Sequence, residues 1–365
     1  MNGLTGKSTV PKVKPKMTLK STDGKISLDV FVTATGTNTY YFDRFIEGID
    51  TSKEYVFEIT SGDSRNISPN KSMNVIFKNQ TIGRYQTYNI FIASNKIKFG
   101  SISKLSTGTY GQSGLKVKGD SRGSDLKYYK IGNGPNVFFG TFALHGFEDG
   151  WPNDGYELVL IAENFVDYLC NSNTSSIEKK WTIYIFPEVN PDAVRYGYSN
   201  NGPGRHTLYS LGPKNMGIDI NRCWPSGYSS LSGRYYNGSA PLQSYEAVAL
   251  KDFLSENKSK NGETILIDLH GWTTQLIGNQ EISLNYYAPQ FYKTAAEARL
   301  RYVPTYGSGY LINWARVHLN AKSALIELPN SYNGKIISNH NDVLKANYSI
   351  KYRNSTIDLL NNIIK

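Results

Sequence analysis

The stretch Val137-Phe-Phe-Gly-Thr-Phe-Ala-Leu144-His145-Gly-Phe-Glu148 decides how this chain is read. Val137 to Leu144 is an apolar run of strand length, and a histidine and a glutamate follow it at once. Two later runs share the pattern. Ile265-Leu-Ile-Asp-Leu269 ends on His270, and Ser323-Ala-Leu-Ile-Glu327 carries a lone carboxylate at its tip. Histidines and glutamates therefore gather at the ends of three expected strands. In an open α/β sheet those carboxyl ends line the crevice where ligands bind. Two imidazoles and one carboxylate make a three-ligand zinc site, which keeps a fourth position for a water whose pKa falls to roughly 7.

Each residue also has a plainer reading. Surface His/Glu pairs are common, and a histidine can simply cap a buried strand. The chain has 5 histidines, however, and two of them fall at neighbouring strand tips, which favours the metal reading. Glu327 sits in Ala-Leu-Ile-Glu-Leu-Pro, where an ionised carboxylate needs a partner. It is either a structural ion-pair partner or a general base, and the base fits better beside a zinc-activated water.

Outward from these runs the texture is α/β. Gly132-Asn-Gly134-Pro reads as a hairpin turn between strands 125–131 and 137–144. Leu158, Ile161, Ala162, Phe165, Val166 and Leu169 recur at helical spacing, so 155–170 is a helix with one apolar face. Trp181–Phe186 is a strand, and 187–220 is a long loop rich in Asn, Gly and Pro. Helices are expected near 244–255, 288–302 and 310–318 and at the C-terminus. The pattern implies a mixed, mostly parallel sheet flanked by helices over residues 103–365. Residues 17–102 read as short alternating strands, a small all-β sandwich. Residues 1–16 form a basic Pro/Lys leader.

Composition bounds the rest. Hydrophobic content of 39% supports a large core, and no run is long enough to span a bilayer. Two cysteines, Cys170 and Cys223, make no disulfide framework and read as free or buried thiols. A net charge of +10 favours anionic partners, among them acidic wall polymers. No helix-turn-helix, zinc finger or aromatic RNA-binding strand is present, which argues against nucleic acid.

The loop carries recognition chemistry: Asn190-Pro-Asp, Arg205 in Gly-Pro-Gly-Arg, and Gly217-Ile-Asp-Ile-Asn221-Arg222. An Asn-Arg pair can clamp a carboxylate. Together with His145-x-x-Glu148, the strand ending at His270, Glu327 in Leu-Ile-Glu-Leu, and Trp314 thirteen residues before it, these motifs resemble the zinc metallocarboxypeptidase (funnelin, carboxypeptidase A-like) family. The resemblance runs from about residue 105 to the C-terminus.

It implies one zinc ion per chain, held by His145, Glu148 and His270, with Glu327 moving the proton from attacking water to leaving amine. Asn221 and Arg222 would bind the substrate's terminal carboxylate. Arg205 would polarise the scissile carbonyl, with Arg195 as the alternative. The family's capping tyrosine falls on Thr305 or, one residue on, Tyr306, and Ile312 falls where the terminal side chain is read. Gly271-Trp272 departs from the family's Ser-Tyr.

The resemblance further implies a bacterial enzyme of the peptidoglycan-peptidase branch, cutting the γ-D-glutamyl-diamino acid bond of stem peptides. Its expected place is outside the cell or on the wall. The alternatives are a general carboxypeptidase removing apolar L-residues from proteins, a non-catalytic wall-binding protein and, last, a deacylase.

Overall fold

The computed structural model describes residues 105–114, 123–151, 154–197, 199–208, 217–292, 300–301 and 309–364, with short segments of the first hundred residues. The chain divides into two compact units, Met1–Phe99 and Gly100–Lys365. In the first, β1 (Lys16–Ser21), β2 (Ser27–Val30), β5 (Glu54–Thr60) and β6 (Lys71–Ile76) form an antiparallel sheet in the order β2-β1-β5-β6. A hairpin of β3 (Val32–Ala34) and β4 (Tyr40–Phe42) stands beside it in sequence. The basic leader, apart from Lys16, and residues 77–102 of the expected sandwich lie outside the described residues.

The second unit is built on an eight-stranded mixed sheet. Its strands are β7 (Leu105–Gln112), β8 (Asp125–Ile131), β9 (Asn136–Phe142), β10 (Trp181–Phe186), β12 (Thr264–Gly271), β13 (Leu276–Gly278), β14 (Leu300–Arg301) and β15 (Lys322–Leu328). The order is β14-β13-β15-β12-β9-β10-β8-β7, and the central four, β15-β12-β9-β10, run parallel. Every residue of β9, β10 and β12 is buried, as a parallel core covered on both faces requires.

Helices supply the cover. Between β9 and β10 lie α1 (Gly155–Asn171) and α2 (Ser175–Lys180). Then come α3 (Pro191–Tyr196), the extended segment β11 (Ser199–His206) and α4 (Tyr245–Asn257). Past β13 follow α5 (Gln280–Ile282) and α6 (Ala288–Phe291), then α7 (Leu311–His318) between β14 and β15. A small hairpin, β16 (Ser331–Tyr332) and β17 (Lys335–Ile336), precedes α8 (His340–Ala346) and α9 (Tyr348–Asn362). Leu250 and Leu254 of α4 and Leu311 and Trp314 of α7 join Val137, Phe139, Tyr184 and Leu266 in one core cluster. On α1, Phe165 meets the Tyr352 ring of α9 edge-on, and Tyr352 also meets Phe142 of β9.

Three expectations change. Gly132–Pro135 is not a hairpin turn, because β10 lies between β8 and β9 and pairs with both. A Cβ on Gly134 would stand 2.1 Å from the Lys180 carbonyl carbon, so the glycine lets the incoming β10 chain pass. The loop 187–220 is partly ordered: Asn190 caps α3 through the Ala193 amide with Pro191 in its first turn, and β11 follows. The helix expected over 288–302 stops at Phe291, and Leu300–Arg301 pairs with β13 instead. Cys170 and Cys223 are buried, and neither is in a disulfide among the described residues.

Nor is α1 apolar on one face only, since Glu157 and Glu163 are buried too. Glu157 is paired with the buried His340 of α8 at 2.8 Å. Glu163 is pushed up to about 8 by burial and by Glu188, against the pull of Lys127. Its folded pKa lies above its unfolded value, so the folded chain holds the proton longer and loses stability as pH rises between the two. The slope is at most about 1.4 kcal/mol per pH unit. Glu163→Gln should therefore gain on wild type steadily from pH 5 to pH 8 in urea titrations. A constant difference across that range would refute the assignment.

Candidate metal centre

The parallel register brings the ligands together. His270 and Glu327 are neighbours across β12 and β15, and Leu269 faces Phe142 of β9. Three residues past Phe142 the chain reaches His145, through Ala143 at φ +49°. The turn is clamped from behind: Val189 and Asn190 donate backbone bonds to Phe142 and Ala143, and the Asn190 amide reaches the Leu144 carbonyl. A Cβ on Gly146 would stand 2.1 Å from the Ala193 oxygen, so the residue after His145 must be glycine for this closure.

His145, Glu148 and His270 are all buried, and one ligand atom from each lies within 4.8 Å of the others. The Nδ1 atoms of His145 and His270 face the two Glu148 oxygens at 3.3 and 2.8 Å. Their Nε2 atoms point the other way, to Asp219 at 2.9 Å and to Asp268 at 2.9 Å. An Nε2–H given to each aspartate leaves both Nδ1 lone pairs facing a carboxylate, an arrangement that calls for a cation between them. Two imidazole nitrogens and a carboxylate oxygen are a donor set suited to zinc. Burial opposes the charge on Glu148, yet His270 and His145 hold its pKa down to about 2. Burial likewise opposes the His270 cation, but Asp268 and Glu148 raise its pKa well above the usual imidazole value.

Four further residues hold the site, none of which had been assigned a role from sequence. Asp154, fully buried at the start of α1, accepts from the amides of Glu148 and Gly150 at 2.7 Å and from the Trp272 indole at 3.0 Å. It thereby ties the Glu148 loop to the segment after His270. Asp219 holds His145 with one oxygen and the Arg205 Nε at 3.0 Å with the other. Asp268 accepts from Thr141 at 2.9 Å and sits against His270. Tyr235 gathers guanidiniums: Arg205 and Arg222 lie 5.3 Å from its ring centre and Arg234 lies 5.6 Å away. Asp268 was readable in principle, because it stands two residues before His270 and so on the same face of β12.

Arg205 is paired through its Nε with Asp219 at 3.0 Å, whereas Arg195 is turned to Glu188 at 3.1 Å. Arg222 donates to the Asn221 carbonyl and lies 4.1 Å from the Tyr310 ring centre. Among the described residues no carboxylate stands within salt-bridge distance of it, while Arg234 pairs with Asp149. Asn221 is differently employed: its Oδ1 accepts from the Leu311 amide, and its Nδ2 lies 3.4 Å from Asp268 and 3.1 Å from His270. Ile312 is packed in the hydrophobic core at 1% exposure. Tyr306 and Thr305 lie outside the described residues.

Glu327 is pushed up to about 8, by burial first and by Glu148, against the pull of His270, Arg205 and Arg222. Among the described residues its Oε2 has no hydrogen-bond partner, and its carbonyl accepts from the Tyr292 hydroxyl at 2.9 Å. The carboxylate thus stands beside the metal ligands with one oxygen uncommitted.

A family model described as zinc carboxypeptidase matches residues 155–355, more than half of the sequence. The chain belongs to the zinc carboxypeptidase family, whose members are zinc-dependent hydrolases. It is 37% identical over 268 residues to bacteriocin BCN5 of Clostridium perfringens. That alignment covers 72% of this chain but 27% of the bacteriocin, so the chain spans about a quarter of that relative. The fold is that of the carboxypeptidase A of Helicoverpa armigera (TM-score 0.54, 16% identity, 71% of this chain and 68% of that one). It likewise matches bovine thrombin-activatable fibrinolysis inhibitor, solved with a tick carboxypeptidase inhibitor (TM-score 0.53, 19% identity, 72% and 90%).

Asp268→Asn keeps the shape beside His270 but replaces the carboxylate, which faces both Thr141 and His270 with an oxygen, by a neutral amide with one accepting oxygen. Zinc affinity, measured by chelator competition, should fall about 10–100-fold. An unchanged affinity would show that Asp268 does not orient the ligand.

Proposed function

We propose that this zinc peptidase hydrolyses the amide bond before a C-terminal residue in peptidoglycan stem peptides, between γ-D-glutamate and the diamino acid. The observation that carries the exo-acting part is Arg222, a guanidinium with no carboxylate at hand among the described residues, set among Tyr235 and Tyr310 beside the zinc ligands. A free terminal carboxylate is the partner it suits. Asn221, committed to Asp268 and Leu311, supports His270 in this reading and leaves the carboxylate to Arg222.

Bound by His145, Glu148 and His270, zinc supplies Lewis-acid polarisation and a nucleophilic water at neutral pH. Glu327, whose Oε2 has no hydrogen-bond partner among the described residues, takes the proton of the attacking water and returns it to the departing amine. Arg205 is held as a cation: burial disfavours its charge, but Asp219 and Glu148 prevail. In this reading it stabilises the oxygen of the scissile carbonyl as charge develops there.

Two facts support a wall peptide as the substrate. The relative of 37% identity bears the name bacteriocin, a protein directed against bacteria, whose wall is made of such peptides. The net charge of +10 suits an anionic wall, and with it a place outside the cell. Ile312, sealed in the core, lends little weight to the apolar-residue alternative.

Mass spectrometry of L-Ala-γ-D-Glu-diaminopimelate incubated with zinc-loaded protein tests the reading. Wild type should release the diamino acid, and Glu327→Gln should be slower by about 10²–10⁴. An intact tripeptide, alongside turnover of ordinary C-terminal L-peptides, would remove the stem-peptide assignment.

A further inference from the structure

The segments that continue from His270 and Glu327 wall a second cavity of about 870 Å³. Thr274 lies four residues past His270, and Asn330 lies three past Glu327; the two are joined side chain to side chain at 3.2 Å. Phe291 and Tyr292 close one side, and Tyr332 and Lys351 close another. The cavity is fastened to the strand of the base, because the Tyr348 hydroxyl donates to the Pro329 carbonyl and the Tyr292 hydroxyl to the Glu327 carbonyl.

Lys351 is the feature that needs explaining. Its ammonium lies 5.0 Å from the Tyr332 ring centre and 5.5 Å from that of Tyr348. No carboxylate among the described residues stands within salt-bridge distance. It also falls near the start of α9, where the helix dipole disfavours a cation. Burial lowers its pKa, so part of its hydration is already lost. A half-buried ammonium set against two ring faces, with no carboxylate partner among the described residues, in a cavity lined by hydroxyl and amide groups, is arranged for an incoming anion.

We propose that Lys351 and this cavity bind a carboxylate carried by the acyl half of the substrate, upstream of the scissile bond. The inference rests on the peptidase reading above. Arg222 already serves the carboxylate of the leaving residue. In the proposed pose the acyl half of the substrate runs past Glu327 along the segments leaving β12 and β15. At 3.8 Å per residue the cavity wall begins within about three or four residues of the catalytic carboxylate. In a γ-D-glutamyl stem peptide the free α-carboxylate of the glutamate is a group of this kind.

The test is a peptide series with Glu or Gln at each of the first four positions upstream of the scissile bond, plus stem peptides with isoglutamate or its amide. Turnover is measured with the zinc-loaded full chain, and binding with its Glu327→Gln variant by calorimetry. One acidic position should be preferred about tenfold over its amide, as a charged hydrogen bond allows, with the difference in KM rather than kcat. Lys351→Gln should erase the Glu/Gln ratio, and Lys351→Arg should restore it. The ratio is internal to each variant, so a loss of folded protein does not imitate the effect. Equal handling of acid and amide by wild type at every position, or a preference that survives Lys351→Gln, overturns the proposal. Acid-selective binding without turnover of any peptide would sink the peptidase reading and leave Lys351 standing. Turnover without selectivity would do the reverse, and absence of both would overturn both.

Discussion

Two buried aspartates turned toward two histidines set the constraint on which the site depends. Asp219 and Asp268 take the Nε2 side of His145 and His270, so the Nδ1 side of each ring is the one presented to Glu148. Neither aspartate can act unless its own position is fixed. Asp268 lies within β12, two residues before His270, where sheet pairing with β9 and β15 leaves it no freedom. Asp219 heads the short helical turn Ile220–Arg222, accepts from the Asn221 amide, and is held in place by Arg205. The sheet register and the loop thus converge on one pair of rings. The same loop delivers Arg222 to the rim.

Much of this was legible because the ligands ride on parallel strands. Such strands are buried on both faces and read as unbroken apolar runs, so the polar residue ending each one stands out. His145, His270 and Glu327 stood out on that contrast, and the two histidines meet Glu148 in a group that could hold a metal. The hairpin at Gly132–Pro135 was misread for the opposite reason. Its turn chemistry is genuine, but the β10 strand that separates β8 from β9 enters fifty residues later, and local pattern carries no trace of that insertion. Asn221 shows a subtler limit. A motif fixes which residue is present, whereas the direction of its amide is decided by Leu311 and Asp268, neither of them near it in sequence. Lys351 was invisible to sequence reading, since nothing in a C-terminal helix announces that it packs beside the end of β15.

The polar supports also show why the loop after β9 keeps its shape. Asp154 spends its carboxylate on the Glu148 loop and the Trp272 indole, and so gives up the usual task of capping its own helix. That exchange costs α1 a cap, an effect of order 1 kcal/mol, and fixes a metal ligand in return. Trp272 in turn stacks near Trp151 and Tyr348, which carries the connection to the helix bearing Lys351. Ligand loop, post-histidine segment and α9 are therefore one packed unit. Side chains on α9 can influence substrate handling through that unit without touching the zinc ligands.

Charge balance links the site to its ion. The carboxylates that interact with the histidines are Glu148, Asp219, Asp268 and Glu327, and the guanidiniums among them are Arg205 and Arg222. With neutral imidazoles, four negative and two positive groups leave a deficit of two charges in a buried space. A divalent cation cancels it. Protons can make up the deficit otherwise, and the groups whose affinity for them is raised are His270 and Glu327. Asp219, by contrast, is held well below the usual carboxylate range; burial opposes its charge, but Arg205 and His145 outweigh that. The site thus separates carboxylates that stay ionised to hold its frame from a carboxylate that can carry a proton. That division is what a peptidase requires of a residue that must accept a proton from water and surrender it to an amine in the same cycle.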